Sequence, residues 1–329
     1  MPAARASVAE FAVHGGRLDL ARAVYGGDDW LDLSTGISPW AYPARVEPLA
    51  CTALPGPEAL AGLEAAAAAT IGHDPAATVA VPGSDIGLRL LATVIGAARV
   101  AVVGPGYSGH VAMWDGATVT TIGAGEIAAA AETCDAVILA RPNNPDGNVV
   151  DAVVLAAAAA SLAGRGGWLI VDEAFVDATP EVALAPQPGL IVLRSFGKFF
   201  GLAGLRLGFV VAPPGIVAAL RRRLGDWPIS GPAIVVGTAA YRDIDWQAGQ
   251  RLRLTSAKTH LDGLLQAAGF TIAGGTMLFR LVDTPDAGAV FEHLAGHAIL
   301  TRPLTANPRR LRIGLPADWT RLTHALRQS

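Results

Sequence analysis

Lysine is nearly missing from this chain of 329 residues: only Lys198 and Lys258 occur, although Lys and Arg together number 25. Arginine therefore fills almost every cationic position, which reads as a compositional bias. A lysine kept against that bias needs an amine in particular, because a guanidinium cannot be deprotonated to a nucleophile. Cysteine is equally scarce. Cys51 and Cys134 are too few for a disulfide framework or a zinc site, and their scarcity fits a reducing, cytoplasmic setting. The opening stretch MPAARASVAEFAVHGG lacks the apolar core of a secretion signal. The longest apolar runs, such as Leu155–Leu162, are short and alanine-rich, so they suit buried helices and cannot span a bilayer. The net charge of −3 gives no basic field, which argues against nucleic acid or an anionic membrane as a partner. No internal repeat or low-complexity linker interrupts the chain.

Hydrophobic residues make up 52% of the sequence and the mean hydropathy is +0.41. The length is too great for one ordinary small domain, and one large domain with a smaller one is expected. The reading divides the chain into an arm and small-domain segment at 1–50, a large domain at 51–235 and a C-terminal small domain at 236–329. Pro39, Pro43, Pro48, Pro55 and Pro57 mark an irregular stretch, and Pro57 suits the first turn of a helix ending by Gly72. Short apolar strands then alternate with helices: Thr78–Val81, Arg99–Val103, Ala136–Ala140, Trp168–Val171, Ile191–Leu193 and Leu207–Val211. Continuous apolar strands separated by helices predict an α/β domain whose mostly parallel central sheet is covered on both faces. A long helix near Asp243–Ala268 leads to a smaller α+β domain, with strands near Thr276–Val282 and Leu311–Leu315.

Polar residues sit just past the C-terminal ends of these strands, where open α/β sheets bind ligands. Lys198 lies in SFGKFFGLAGLRLGF; an amine among apolar and glycine neighbours is the more easily deprotonated one and a usable nucleophile toward an aldehyde. Taken alone it also reads as a loop lysine. Asp172 and Glu173 end a buried strand, and an acid there needs a partner: a pyridinium nitrogen, a metal or a helix end. Arg141-Pro142-Asn143-Asn144-Pro145-Asp146-Gly147 is composed as a turn. Pro82-Gly83-Ser84-Asp85 opens a helix, where backbone N–H groups and the Ser84 hydroxyl bind a phosphate or simply cap the helix.

In order along the chain, Gly83-Ser84, Tyr107, Asn143-Asn144-Pro145-x-Gly147, Asp172-Glu173-Ala174-Phe175, Ser195-x-x-Lys198 and Gly204-Leu205-Arg206-x-Gly208 resemble the class I/II aminotransferases. These are pyridoxal-phosphate enzymes of fold type I, the aspartate-aminotransferase fold. The resemblance implies that Lys198 carries the cofactor as a Schiff base. Gly83, Ser84, Asp85, Ser195 and Arg206 then belong to the cofactor phosphate site, Tyr107 stacks on the ring, Asn144 bonds the ring oxygen and Asp172 the ring nitrogen. It also implies that Arg312 grips the substrate carboxylate, with Arg310, two residues away on the same strand face, as the alternative. A homodimer is implied as well. Two positions depart from the family pattern: Phe175 replaces a tyrosine whose hydroxyl also bonds the ring oxygen, and Leu54-Pro55 replaces a Tyr-Pro that reaches the partner subunit's cofactor.

The ends of the chain narrow the resemblance. His14-Gly15-Gly16-Arg17, the stretch Leu31–Pro39 containing Gly36 and Ile37, Thr301-Arg302-Pro303 and Leu311-Arg312-Ile313-Gly314 are similar to the threonine-phosphate decarboxylases of cobalamin biosynthesis. That branch lies close to the histidinol-phosphate aminotransferases, and Phe175 agrees with it, while Ser38 replaces its usual Asn. The implied substrate is a phosphorylated amino acid touching His14, Gly36, Ile37, Asn144, Arg302 and Arg312. Arg302 is the candidate for its phosphate, since Arg suits forked phosphate contacts, with His14 and Arg17 closing over it.

Overall fold

The computed structural model describes residues 8–327. It comprises two compact units, one of residues 41–250 and one joining 1–40 to 251–329. The sequence reading puts its divisions at 50 and 235, whereas the compact units divide at 40 and 250. No composition break marks the second division, because one continuous helix, Ile244–Ala267, runs through it.

The 41–250 unit is built on a seven-stranded sheet. Its spatial order is Thr78–Val81, Gly208–Val211, Leu190–Ser195, Trp168–Asp172, Ala136–Ala140, Arg99–Val103 and Thr118–Ile122. Only Gly208–Val211 runs against its neighbours; the other pairings are parallel. The inner strands are buried on both faces, which is why they read as unbroken apolar runs. The helix Pro57–Ile71 begins on its proline and ends at Gly72 in a left-handed cap. Its one buried acid, Glu64, accepts the Ala80 N–H at 2.9 Å and pairs with Arg221 at 2.7 Å. The burial of that carboxylate is thereby satisfied.

After Arg99–Val103 the chain moves outward to Thr118–Ile122 and then back to Ala136–Ala140 on the other side. This reversal opens a crevice at the C-terminal strand ends, the place where such sheets take ligands. The loop after Arg99–Val103 carries Tyr107, and the loop after Ala136–Ala140 carries Asn143 and Asn144.

The unit formed by the two ends of the chain has a four-stranded antiparallel sheet ordered Arg302–Pro303, Arg310–Gly314, Phe279–Asp283 and Thr271–Thr276. A separate parallel pair joins Leu31–Asp32 to Ile299–Leu300. Phe11 and Phe291, both fully buried, meet with ring centroids 5.0 Å apart. The single strand expected near Thr276–Val282 is two strands joined by a turn, closed by the Leu278 N–H donating to the Thr276 hydroxyl at 3.1 Å. Met277 and Leu278 hide that turn behind apolar side chains. Among the described residues, no helix is long and apolar enough to cross a membrane.

Candidate active site

The helix Ser84–Ile95 presents its N-terminus at the end of Thr78–Val81. Gly83, not Ser84, is the N-cap, so the Ser84 hydroxyl does not cap the helix. Gly83 has φ +89, and a Cβ built on it would lie 2.6 Å from a guanidinium nitrogen of Arg206. The positive φ therefore favours glycine there. The Arg206 guanidinium thus lies beside Gly83, the residue that caps the helix, and a helix N-terminus with a cation next to it suits an anion. Ser195 is paired across strands with Gly208, which in turn lies against the main chain of Gly83 and Ser84. The three elements expected to share a phosphate are together.

Asp172 closes the strand Trp168–Asp172 and is 6% exposed. One carboxylate oxygen lies 3.1 Å from Nε2 of the fully buried His110, and the other accepts the Ala174 N–H at 3.1 Å. Little in the sequence marks His110. Its only signal is its place three residues after Tyr107, on a four-residue helix too short to show periodicity. Among the described residues no group of His, Cys, Asp and Glu is gathered as a metal would require. Lys198 sits on the short helix Phe196–Phe199 that follows Leu190–Ser195. Its amine lies 5.8 Å from the centroid of the Phe175 ring.

Tyr107 is half-buried, and its hydroxyl donates to Asp85 at 3.0 Å. Burial and the neighbouring Asp85 carboxylate push the phenol up to about 12, so it remains a protonated donor at neutral pH. Asn143 donates to the Pro105 carbonyl at 2.9 Å and to Asp146 at 2.8 Å. These bonds tie the Asn143-Asn144 turn to the loop that leads to Tyr107. Leu54, where a tyrosine was the family expectation, is 70% exposed.

The other face of the same strand ends carries an ionic cluster. Successive strand residues point to opposite faces. Asp172 is therefore followed by Glu173 on the underside, and Ser195 is preceded there by Arg194. Arg194 pairs with Glu173 at 2.9 Å and Asp177 at 2.8 Å, all three nearly inaccessible to solvent. Glu173 also accepts the Leu184 N–H at 2.8 Å. Burial pushes the Glu173 carboxyl up, against the pull of Arg194. Arg141 is buried nearby and donates to the Val150 carbonyl at 2.8 Å.

In the unit formed by the chain ends, Arg302 and Arg312 are direct cross-strand partners. Arg312 is 1% exposed, and burial together with the neighbouring Arg302 pushes its guanidinium down to about 9. Two guanidiniums facing each other disfavour each other's charge, a cost that bound anions remove. Arg312 also donates to the Ser34 carbonyl and stacks 4.8 Å over the Phe279 ring. Arg302 donates to the Val13 carbonyl at 3.1 Å, and the Gly16 N–H donates to the Ser34 hydroxyl at 2.7 Å. The turn carrying His14 and the segment leading to Gly36 and Ile37 are thereby held beside the two arginines. Arg17 faces Asp19 at 3.5 Å. Arg310, the alternative clamp, pairs with Asp283 at 3.7 Å.

Fold and sequence together define the class: the chain belongs to the aminotransferase class I and II family, whose model matches residues 50–326. It is 44% identical over 324 residues to a threonine-phosphate decarboxylase of Pseudomonas aeruginosa, covering 95% of this chain and 96% of that one. It is 40% identical over 315 residues to a threonine-phosphate decarboxylase of a Sinorhizobium species, covering 93% and 94%. Among solved structures, histidinol-phosphate aminotransferase from Sinorhizobium meliloti in complex with pyridoxal-5'-phosphate superposes with a TM-score of 0.83. It is 23% identical, with 94% of this chain and 92% of that one covered. That likeness establishes the aspartate-aminotransferase type of fold.

Proposed function

We propose that this protein decarboxylates L-threonine O-3-phosphate to (R)-1-amino-2-propanol O-2-phosphate, using pyridoxal phosphate held on Lys198. The residues fit that cofactor: a cradle of N–H groups and Arg206 for its phosphate, a buried carboxylate at Asp172 for its ring nitrogen, and an amine for its aldehyde. The bound cofactor supplies an electron sink for the pair left at Cα when the bond to the carboxylate breaks. The chain supplies the rest. Asp172, backed by His110, keeps the ring nitrogen protonated. Tyr107 fixes the ring face, and Asn144 bonds the ring oxygen. Lys198, or a water it holds, would deliver the proton that replaces carbon dioxide at Cα. Arg312 would hold the substrate carboxylate, and Arg302 would take the phosphate. The proposed setting is a cytoplasmic homodimer in cobalamin biosynthesis, as the resemblance implies.

The observation that carries the substrate choice is the Arg302–Arg312 cross-strand pair, which suits a small molecule with two anionic groups. The test is incubation of the loaded enzyme with L-threonine O-3-phosphate and no keto acid while carbon dioxide is followed. Stoichiometric carbon dioxide and aminopropanol phosphate are expected. No release, together with conversion of histidinol phosphate once 2-oxoglutarate is added, moves the protein to the aminotransferase branch.

Arg302→Ala is expected to raise the KM for L-threonine O-3-phosphate by about tenfold to a hundredfold, the loss of about 1.5–3 kcal/mol carried by charge-assisted hydrogen bonds. Steady-state kinetics on the variant and the parent enzyme give the ratio, and an unchanged KM removes Arg302 from the phosphate site.

A further inference from the structure

An acid stands where a phosphate site would best do without one. Asp85 lies in the first turn of Ser84–Ile95, next to the Gly83-Ser84 cradle. Simple electrostatics predicts that it repels a phosphate dianion there. Its contacts indicate a different task. One carboxylate oxygen accepts the Tyr107 hydroxyl at 3.0 Å, and the other is braced by Arg89 at 3.1 Å, one turn along the same helix.

The Tyr107 ring is constrained at its other boundaries as well. A Cβ on Gly109 would lie 2.3 Å from a ring carbon, so the ring lies close against Gly109 in space that a side chain there would occupy. The His110 ring meets it edge-on, with centroids 5.5 Å apart and planes at 88°. His110 is itself held by Asp172 at 3.1 Å. The contacts run from Arg89 through Asp85, Tyr107 and His110 to Asp172, linking the helix of the phosphate cradle to the acid assigned to the ring nitrogen.

We propose that Asp85 is a positioning residue: its carboxylate, braced by Arg89, sets the plane of the Tyr107 ring on which the cofactor stacks, and so strengthens cofactor binding from a place where its charge alone would weaken it. The inference rests on Tyr107 being the stacking residue. Both charges are then used: Arg89 offsets the negative charge of Asp85, and the phenol hydrogen takes up one of its oxygens.

The test is a double-mutant cycle on the dissociation constant of pyridoxal phosphate, measured with apoenzyme of the parent, Asp85→Ala, Tyr107→Phe and the double variant. Tyr107→Phe keeps the ring and removes only the tether. Each single change is expected to weaken binding about threefold to tenfold, the equivalent of one hydrogen bond, and the double variant no further. Asp85→Asn, which still accepts the phenol hydrogen, is expected to restore most of the affinity. The visible circular dichroism of the bound cofactor is expected to change alike in Asp85→Ala and Tyr107→Phe. Tighter binding in Asp85→Ala, or losses that multiply in the double variant, overturn the proposal. If Asp85→Ala does not fold, unaltered affinity in Tyr107→Phe is enough to overturn it. Unaltered affinity in Tyr107→Ala removes the stacking role itself, a failure of the cofactor-site reading that is distinguishable from independent action of Asp85.

Discussion

Lys198→Ala is expected to lower turnover by at least about 10⁴-fold, the scale seen when a covalent nucleophile is removed. It is also expected to abolish the covalent adduct between protein and pyridoxal phosphate. The composition makes the experiment unusually clean. Lys198 is the only lysine between residues 41 and 250, so no neighbouring amine of that unit can substitute. The other lysine, Lys258, pairs with Asp262 at 2.9 Å. The amine of Lys198 lies 5.8 Å from the centroid of the Phe175 ring, and the residue is half-buried. Borohydride reduction followed by peptide mass mapping locates the adduct. An adduct persisting on Lys258, or turnover surviving in the variant, would sink the assignment.

Arg194→Met is expected to act on stability instead. The guanidinium is 2% exposed and separates Glu173 from Asp177. Without it the two buried carboxylates lose the cation they share, and breaking a buried ion pair from one side costs about 3–5 kcal/mol. That is a large share of the roughly 5–15 kcal/mol by which a domain is stable. The midpoint of chemical denaturation, with an unchanged slope, gives the number. Adding Glu173→Gln and Asp177→Asn to Arg194→Met should recover part of the loss, because neutral amides are far cheaper to bury than unpaired charges. A loss below about 1 kcal/mol in Arg194→Met would mean that water reaches the cluster.

The framework of the large unit was legible in the sequence for a definite physical reason. A parallel strand buried on both faces has no polar side to disguise it, so Ala136–Ala140 and Trp168–Asp172 appear as uninterrupted apolar runs. Thr118–Ile122 does not announce itself as a strand. It lies at the sheet edge, its three threonines largely exposed, and neither period nor hydropathy marks it. The helix Pro214–Leu224 was obscured by the consecutive Arg221, Arg222 and Arg223 at its end. The chemistry-bearing motifs were legible by their order and by falling at strand ends. What surrounds them was not, because it depends on neighbours from distant strands. Arg194 interrupts an apolar strand and so carried a signal, but its partners Glu173 and Asp177 come from another strand and the loop after it. His110 offered no pattern, and its significance comes from the carboxylate it meets.

The parallel pairing of Leu31–Asp32 with Ile299–Leu300 has a consequence for how the chain is made. The unit 41–250 is continuous, and its sheet can assemble as soon as its last strand leaves the ribosome. The first forty residues cannot find their strand partner until the ribosome has passed Leu300. They must wait through most of translation with Phe11 and Leu33, both buried in the finished protein, still exposed to water. Pairings this distant in sequence are also slow to close. The strand Leu31–Asp32 therefore pairs only after nearly all of the chain has been made.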